Sequence, residues 1–181
     1  MSSRQEVQDV LVGYLSAMRL LLIKPHAFFA EYPALPDYRQ QLLFVLPPAC
    51  VFATGMAWQL GSPWWALAYL PGAYAGLALW AVILKYVLVV FGERRSFREV
   101  LHVSTCSWVC LLVGWIPHFG LPALYLLVGL FTFLGLVFHF KMHSGAALAA
   151  VALPVVIVGF GGGILSFIFL WLASLSTIFS R

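Results

Sequence analysis

The side chains that could bind a metal ion are few and poorly placed to act together. His139, Lys141 and His143 form a short run after a long apolar segment. Residues two apart on a helix lie on different faces, so both imidazoles reach one metal only where the helix has already ended. His102 and His118 fall on opposite membrane sides in the topology derived below. The four histidines are therefore candidate polar or metal-binding residues, but we predict neither a metal site nor a cofactor.

The cysteines and carboxylates do not form a recognisable catalytic or transport centre either. Cys50, Cys106 and Cys110 lie in apolar runs, where a free cysteine acts as a small packing residue. The sequence contains no Gly-x-Ser-x-Gly motif and no Gly-rich phosphate loop. Asp and Glu are absent from the core of every long apolar segment, which disfavours a cation-coupled transporter. We therefore expect no enzymatic activity.

The densest group of charges lies between two long apolar segments and consists of Glu93, Arg94, Arg95, Arg98 and Glu99. Loops rich in Arg and Lys stay on the cytoplasmic side, because moving them across the membrane is unfavourable. The same guanidinium groups are candidates to bind acidic lipid headgroups or an acidic protein surface. The alternative is that they serve only as a topology signal.

The end of this arginine loop has the pattern of a helix start. Ser96 precedes Glu99 by three residues, which is the spacing of a capping box. We expect Arg98, Glu99 and His102 to form a polar cluster that closes a helical bundle on its cytoplasmic side.

Composition places these residues in a membrane protein. The chain has 181 residues, of which 63% are hydrophobic and 9% charged. Soluble domains carry about 25% charged residues, so this chain cannot cover a surface that faces water. We predict an all-α polytopic membrane protein with an interfacial segment, 1–41, and a transmembrane domain, 42–181. Its net charge of +4 comes mostly from juxtamembrane Lys and Arg and does not indicate nucleic-acid binding.

The amino-terminal residues have the pattern of an amphipathic helix that ends at Pro25. Apolar side chains recur every three or four residues, with polar residues between them. The helix is too polar to span a membrane, so we predict that it lies in the cytoplasmic interface. Packing on the ends of the spans is a compatible alternative. The chain is then predicted to turn at the lipid headgroups, in a basic and aromatic segment that contains Lys24, Phe28 and Phe29.

Five apolar segments are predicted to span the membrane, and they are 42–60, 63–91, 100–117, 121–140 and 146–175. Pro47 and Pro48 should kink the first span or delay its start, and Pro71 should bend the second. The last segment is longer than a ~30 Å hydrocarbon core at ~1.5 Å per residue. It must tilt, protrude or break near Pro154 or 159–163, and we favour one tilted span over a re-entrant hairpin.

Loop charges orient these spans. With the amino end in the cytoplasm, the loops at Arg94 and Lys141 are cytoplasmic, and the loops at Gly61 and His118 lie outside with the carboxyl end. This topology is expected of a multi-pass protein of the inner membrane.

Two pairs of glycines have the spacing of helix-packing motifs. The first pair is Gly72 and Gly76, and the second pair is Gly159 and Gly163. They favour packing within the chain or, alternatively, contact with a membrane-protein partner or a second copy.

Three short motifs resemble the bacterial branch of the Yip domain family, the Ypt/Rab-interacting membrane proteins. The motifs are Lys-Pro-His-Ala-Phe-Phe at 24–29, Gly-Glu-Arg-Arg-Ser-Phe-Arg-Glu-Val-Leu at 92–101 followed by Pro117, and the small-residue step at 143–146. The similarity extends from Leu20 to the carboxyl end. It implies an integral membrane protein with a cytoplasmic amino end; eukaryotic members associate with Rab GTPases and trafficking factors. The chain lacks the Asp-Leu-Tyr-Gly-Pro signature of that eukaryotic branch.

These patterns predict a non-enzymatic scaffold or adaptor that organises anionic lipids or protein partners through its amino-terminal helix and arginine loop. The alternative is a small ion channel or transporter, with a path lined by the proline- and glycine-containing breaks in the spans. A third possibility is a helper subunit of a larger complex. The sequence does not identify the substrate or the partner.

Overall fold

The computed structural model describes residues 3–31, 37–117 and 119–156, and all regular structure within them is helical. The helices are α1 Ser3–Ile23, α2 Pro25–Glu31, α3 Tyr38–Gln59, α4 Trp64–Val90, α5 Phe97–Ser107, α6 Leu111–Gly114 and α7 Gly120–Leu134. A 3₁₀ turn, Trp108–Cys110, joins α5 to α6, and a π-helical turn, Gly135–His139, extends α7. The last helix, α8, is described over Ser144–Val156. The all-α prediction is confirmed.

Three helices of the described part are long and apolar enough to cross a membrane. They are Tyr38–Gln59, Trp64–Val90 and Pro122–His139, the last formed by α7 and its π-helical turn. These helices coincide with the first, second and fourth predicted spans. By length and composition, the chain is therefore a membrane protein with transmembrane helices. The number of spans and their orientation remain predictions.

The third predicted span, 100–117, is not one continuous helix, because it is divided into α5, the 3₁₀ turn and α6. The division follows Ser107, whose hydroxyl donates to the carbonyl of Val103 at 2.8 Å. Such bonding to the residue four positions earlier bends helices. Every side chain from Val100 to Ser107 is buried. Since α5 packs against α3, α4 and α7, it is the central helix of the described bundle.

The prolines of α3 free a backbone carbonyl that another helix uses. α3 begins at Tyr38, so the helix does not start late, and it continues through Pro47 and Pro48. Because Pro48 has no N–H, the carbonyl of Phe44 lacks its helical donor. The Tyr14 hydroxyl of α1 donates to that carbonyl at 3.1 Å. Burial raises the pKa of Tyr14 to about 12, so this hydroxyl remains a donor at any ordinary pH.

The carboxyl-terminal half of α1 packs on the bundle through one face. Ala17, Met18 and Leu21 are buried on this face, whereas Leu15 and Leu22 point outwards and are at least half exposed. Some of the apolar side chains predicted for this helix therefore pack against the protein, and others lie on an exposed surface. Its placement in a membrane interface remains a prediction.

The longest helices end at glycines with a left-handed backbone. Gly61 follows α3 with a φ of 68°, and Gly92 follows α4 with a φ of 80°. At Gly92, the N–H of Glu93 donates to the carbonyl of Leu88 at 2.9 Å, which is the long bond of a Schellman motif. Glycine adopts this conformation without a side-chain clash, so both helices stop sharply.

The bundle has two ends of different composition. The charged end comprises α2, the first turns of α3 and α5, the arginine loop between α4 and α5, and the turn that leaves α7. Gln41 joins the first turns of α3 and α5 by donating to the Arg98 carbonyl at 3.4 Å. The aromatic end comprises the α3–α4 and α6–α7 connections. Its most exposed rings belong to Trp58, Trp64, Trp65 and Phe119.

Some predicted features lie outside the described residues. His118 is one of them, and so is the part of the fifth predicted span beyond Val156. The second predicted helix-packing pair lies there as well, because neither Gly159 nor Gly163 is among the described residues. Helix packing through Gly163 and its partner Gly159 therefore stays a prediction. α8 continues through Pro154 as far as it is described.

Candidate functional site at the charged end

The arginine loop ends in the capping box that the sequence predicts. The hydroxyl and the backbone N–H of Ser96 each donate to the Glu99 carboxylate at 2.8 Å, and the Glu99 N–H donates back to the hydroxyl at 3.3 Å. The hydrogen bonds from the Ser96 side chain and backbone lower the pKa of Glu99, because they stabilise its charged form. The box fixes the residue at which α5 begins.

The three arginines of the loop have different surroundings. Arg95 lies 3.2 Å from the Glu93 carboxylate and donates to the Phe140 carbonyl at 3.0 Å. Its guanidinium carbon is also 5.0 Å from the centre of the Phe140 ring. Arg94 and Arg98 are exposed, and neither forms an ion pair with a described carboxylate. Arg95 therefore holds the loop to the end of α7, while Arg94 and Arg98 present their charges outwards.

α2 is held against the bundle by two aromatic side chains. Phe28 and Phe29 are each 1% exposed, and their ring centres are 5.5 Å apart. A Cβ added to Gly135 would lie 2.5 Å from Cγ1 of Val103 and 3.2 Å from Cε1 of Phe29. The missing side chain at Gly135 therefore provides the space that Phe29 occupies. Both rings pack inside the protein rather than at the headgroups, whereas Lys24 is exposed.

The structure pairs two histidines that sequence analysis did not bring together. The ring centres of His102 and His139 are 5.5 Å apart with the rings inclined at 54°, and His102 is 1% exposed. His139 also hydrogen-bonds to the backbone of Phe29, and Glu99 and Arg95 interact with it electrostatically. The predicted topology contained a signal for this pair. His102 begins the third predicted span and His139 ends the fourth, so both belong to the same side.

The other residues of the predicted histidine run act separately. His143 accepts the N–H of Gly145 through Nδ1 at 3.3 Å and so caps the start of α8. Lys141 has a left-handed backbone with a φ of 56°, which turns the chain between His139 and His143. Within the described ranges, no group of three or more His, Cys, Asp or Glu residues could hold a metal ion.

Buried hydroxyl groups continue from the histidine pair into the bundle. Ser104, Thr105, Ser107 and Thr132 are all 0% exposed. Thr132 donates to the Ser107 hydroxyl at 3.0 Å and so joins α7 to α5. The hydroxyls of Ser104 and Thr105 have no hydrogen-bond partner among the described residues. At ~1.5 Å per residue, this polar stretch extends about 12 Å along α5 from Glu99.

The glycine pair of α4 does not form one packing face within the described chain. A Cβ on Gly76 would lie 2.6 Å from the Trp108 ring, whereas a Cβ on Gly72 would have no neighbour within 4 Å. Gly76 and Trp108 also border an apolar pocket of about 270 Å³, together with Leu79, Trp80, Leu124, Tyr125, Val128 and Val155. The buried hydroxyls of the polar stretch are not among the residues that line this pocket.

The apolar helices define the class of this protein as an all-helical membrane protein. Its polar contacts concentrate at the charged end, where the arginine loop, α2 and the histidine pair meet. No protein-family model, curated protein or solved structure matches the chain. Functional assignment therefore depends on the residues of this end.

Proposed function

We propose that this chain is a non-enzymatic scaffold or adaptor of the inner membrane, similar to the Yip domain family. In this proposal, five spans cross the bilayer, the amino end and the charged end are cytoplasmic, and the charged end binds anionic lipids or protein partners. The distribution of charge supports it. The sequence has no Asp, Glu, Lys or Arg between Arg39 and Lys85 or between Glu99 and Lys141. Basic residues gathered on one side favour a cytoplasmic location for that side.

The observation that carries the proposal is the different environment of neighbouring arginines. Arg95 is occupied by Glu93 and by the end of α7. Arg94 and Arg98 are exposed without a described carboxylate partner. A basic residue close to an anionic membrane surface contributes about 1 kcal/mol to binding. Two such residues would change the affinity for an anionic headgroup by roughly 30-fold.

The test compares lipid retention in two variants. Three forms of the protein are purified in detergent: wild type, the double variant Arg94→Gln/Arg98→Gln and the single variant Arg95→Gln. Each form is titrated with phosphatidylglycerol or phosphatidylcholine. Native mass spectrometry then counts the bound lipids. The double variant should lose roughly 30-fold in phosphatidylglycerol affinity and keep its melting temperature, because neither side chain packs in the bundle.

Arg95→Gln is the control, since it removes one arginine charge from the same loop. It should lower the melting temperature and leave phosphatidylglycerol binding within a few-fold of wild type. If the double variant retains phosphatidylglycerol as well as wild type, the lipid form of the adaptor proposal fails. Cross-linking from Arg94 and Arg98 positions would then ask whether a protein partner is bound instead.

A second candidate function is a small channel or transporter. The buried hydroxyls of Ser104 and Thr105, without described partners, favour it because unpaired polar groups inside a bundle mark water or ion sites. The absence of Asp and Glu from the spans disfavours it. Flux of protons, potassium or divalent cations into proteoliposomes, lost in His139→Gln, would support transport. Folded protein without flux above empty liposomes would leave the adaptor as the better account.

A further inference from the structure

The short helix α2 packs against α1, α7 and the π-helical turn that extends α7. Phe29 fills the space above Gly135, and its backbone hydrogen-bonds to the His139 ring. His26 adds a ring contact with Phe138, with 6.1 Å between centres. The contacts of Phe29 and His26 with Gly135, His139 and Phe138 are all made with residues of the π-helical turn. Such turns occur often at functional sites, because they displace side chains from the regular helical positions.

The histidine that binds α2 also faces a second imidazole. His102 comes from α5, and its ring centre is 5.5 Å from that of His139. The charged groups that interact electrostatically with His139 are Glu99 of α5 and Arg95 of the preceding loop. From α2, the His26 ring contacts Phe138, the residue before His139. The pair therefore lies where charged groups of α5 and the arginine loop meet the end of α7.

We propose that His102 and His139 form a proton-binding site that controls the docking of α2 on the bundle. For a single proton on His139, the Glu99 carboxylate and the Phe29 backbone offset part of the cost of burying the charge. A second proton places two cations 5.5 Å apart, one of them on a ring that is 1% exposed. Two like charges at this separation repel in a partly buried site, so the doubly protonated pair disfavours the docked arrangement.

The sign of the effect follows from proton linkage. Undocking exposes the imidazoles, and exposed imidazole has a pKa near 6.5, so the undocked state binds more protons in acid. Docking of α2 is therefore complete above about pH 6.5 and weakens as the pH falls below it. For one additional proton, the docking equilibrium changes by up to about tenfold per pH unit. This inference concerns the bundle itself and does not depend on the lipid proposal.

Hydrogen–deuterium exchange of the full chain in lipid nanodiscs tests the site directly. The quantity measured is the protection factor of the α2 amides at pH 7.5 and 5.5, corrected for the intrinsic exchange rate. Wild type should lose about tenfold in α2 protection on acidification, while α4 stays unchanged. His139→Gln keeps an N–H donor for the Phe29 backbone but cannot titrate, so its α2 protection should be nearly independent of pH.

Two further variants make the result decisive. His102→Gln removes the facing charge and should also reduce the pH response, which keeps the test valid if His139→Gln does not fold. His143→Gln changes a histidine that lies outside the pair and caps α8, so its α2 protection should respond to pH as in wild type. Equal α2 protection of the wild type at both pH values would overturn the proposal. So would an undiminished acid response in His139→Gln or in His102→Gln, or its loss in His143→Gln.

Discussion

The charged end and the aromatic end close the same bundle in different ways. At the aromatic end, the amide of Gln59 donates to the Trp115 carbonyl, and glycines allow direct contact between chain segments. A Cβ added to Gly120 would meet the backbone of Gly114. At the charged end, side chains make the contacts between chain segments. Arg95 does so through its charged guanidinium group, and Phe29 through a buried ring. Backbone contacts tolerate little adjustment, whereas side-chain contacts respond to charge, pH and partners.

The first prediction compares added methyl groups at the two ends. Gly120→Ala should destabilise the protein by about 3 kcal/mol, because the new Cβ meets backbone that cannot move aside. Gly135→Ala should cost about 2 kcal/mol, since the obstructing atoms belong to the Val103 and Phe29 side chains, which move aside more readily than backbone. Gly72→Ala is the control, and its open surroundings predict no loss. Thermal unfolding in one detergent measures all three variants; equal costs at both ends would contradict the comparison.

The second prediction concerns the attachment of α1 near the proline pair. Tyr14→Phe removes the donor to the Phe44 carbonyl and should cost about 1 kcal/mol. Pro48→Ala restores a helical N–H to the same carbonyl. The effect of Tyr14→Phe should therefore be smaller in the Pro48→Ala background. A double-mutant cycle by thermal unfolding measures this coupling, and strictly additive effects would show that the two donors do not share the carbonyl.

The smallest predicted effect is the pH dependence of the capping box. Hydrogen bonds from Ser96 lower the pKa of Glu99 in the folded protein. A lowered folded-state pKa means that this stabilisation is present above the ordinary carboxyl pKa, about 4.3, and is lost as the pH falls through the folded value. The melting-temperature difference between wild type and Glu99→Gln should therefore shrink below about pH 4.3. A constant difference from pH 6 to pH 3.5 would contradict the assignment.

Sequence patterns predicted the features that depend on neighbouring positions along the chain. The capping box needs only Ser96 and Glu99 three residues apart, and the spans need only long apolar runs. The division after Ser107 was not predicted, because apolar residues continue across it. The role of Phe29 was also missed, since its aromatic ring suits a headgroup region as well as a protein interior. Only the fold places Gly135 opposite it.

The histidine pair shows what topology adds to such patterns. His102 and His139 are far apart in sequence, and their meeting depends on which helices are neighbours. The predicted orientation of the spans placed both on one side but did not specify that α5 and the end of α7 are adjacent. The Phe44 carbonyl shows the same limit. Pro48 predicts an unpaired carbonyl, but the sequence does not indicate that Tyr14 supplies the donor.

Photo-cross-linking in nanodiscs tests most directly whether the charged end is the interaction surface. Nanodiscs contain a trace of phosphatidylglycerol with a photoreactive group in its headgroup, and mass spectrometry of peptides locates the cross-links. The account predicts labelling at Arg94, Arg98 and the adjacent loop, competed by unlabelled phosphatidylglycerol but not by phosphatidylcholine. Equal labelling of the two ends, or labelling concentrated around Trp64 and Phe119, would contradict it.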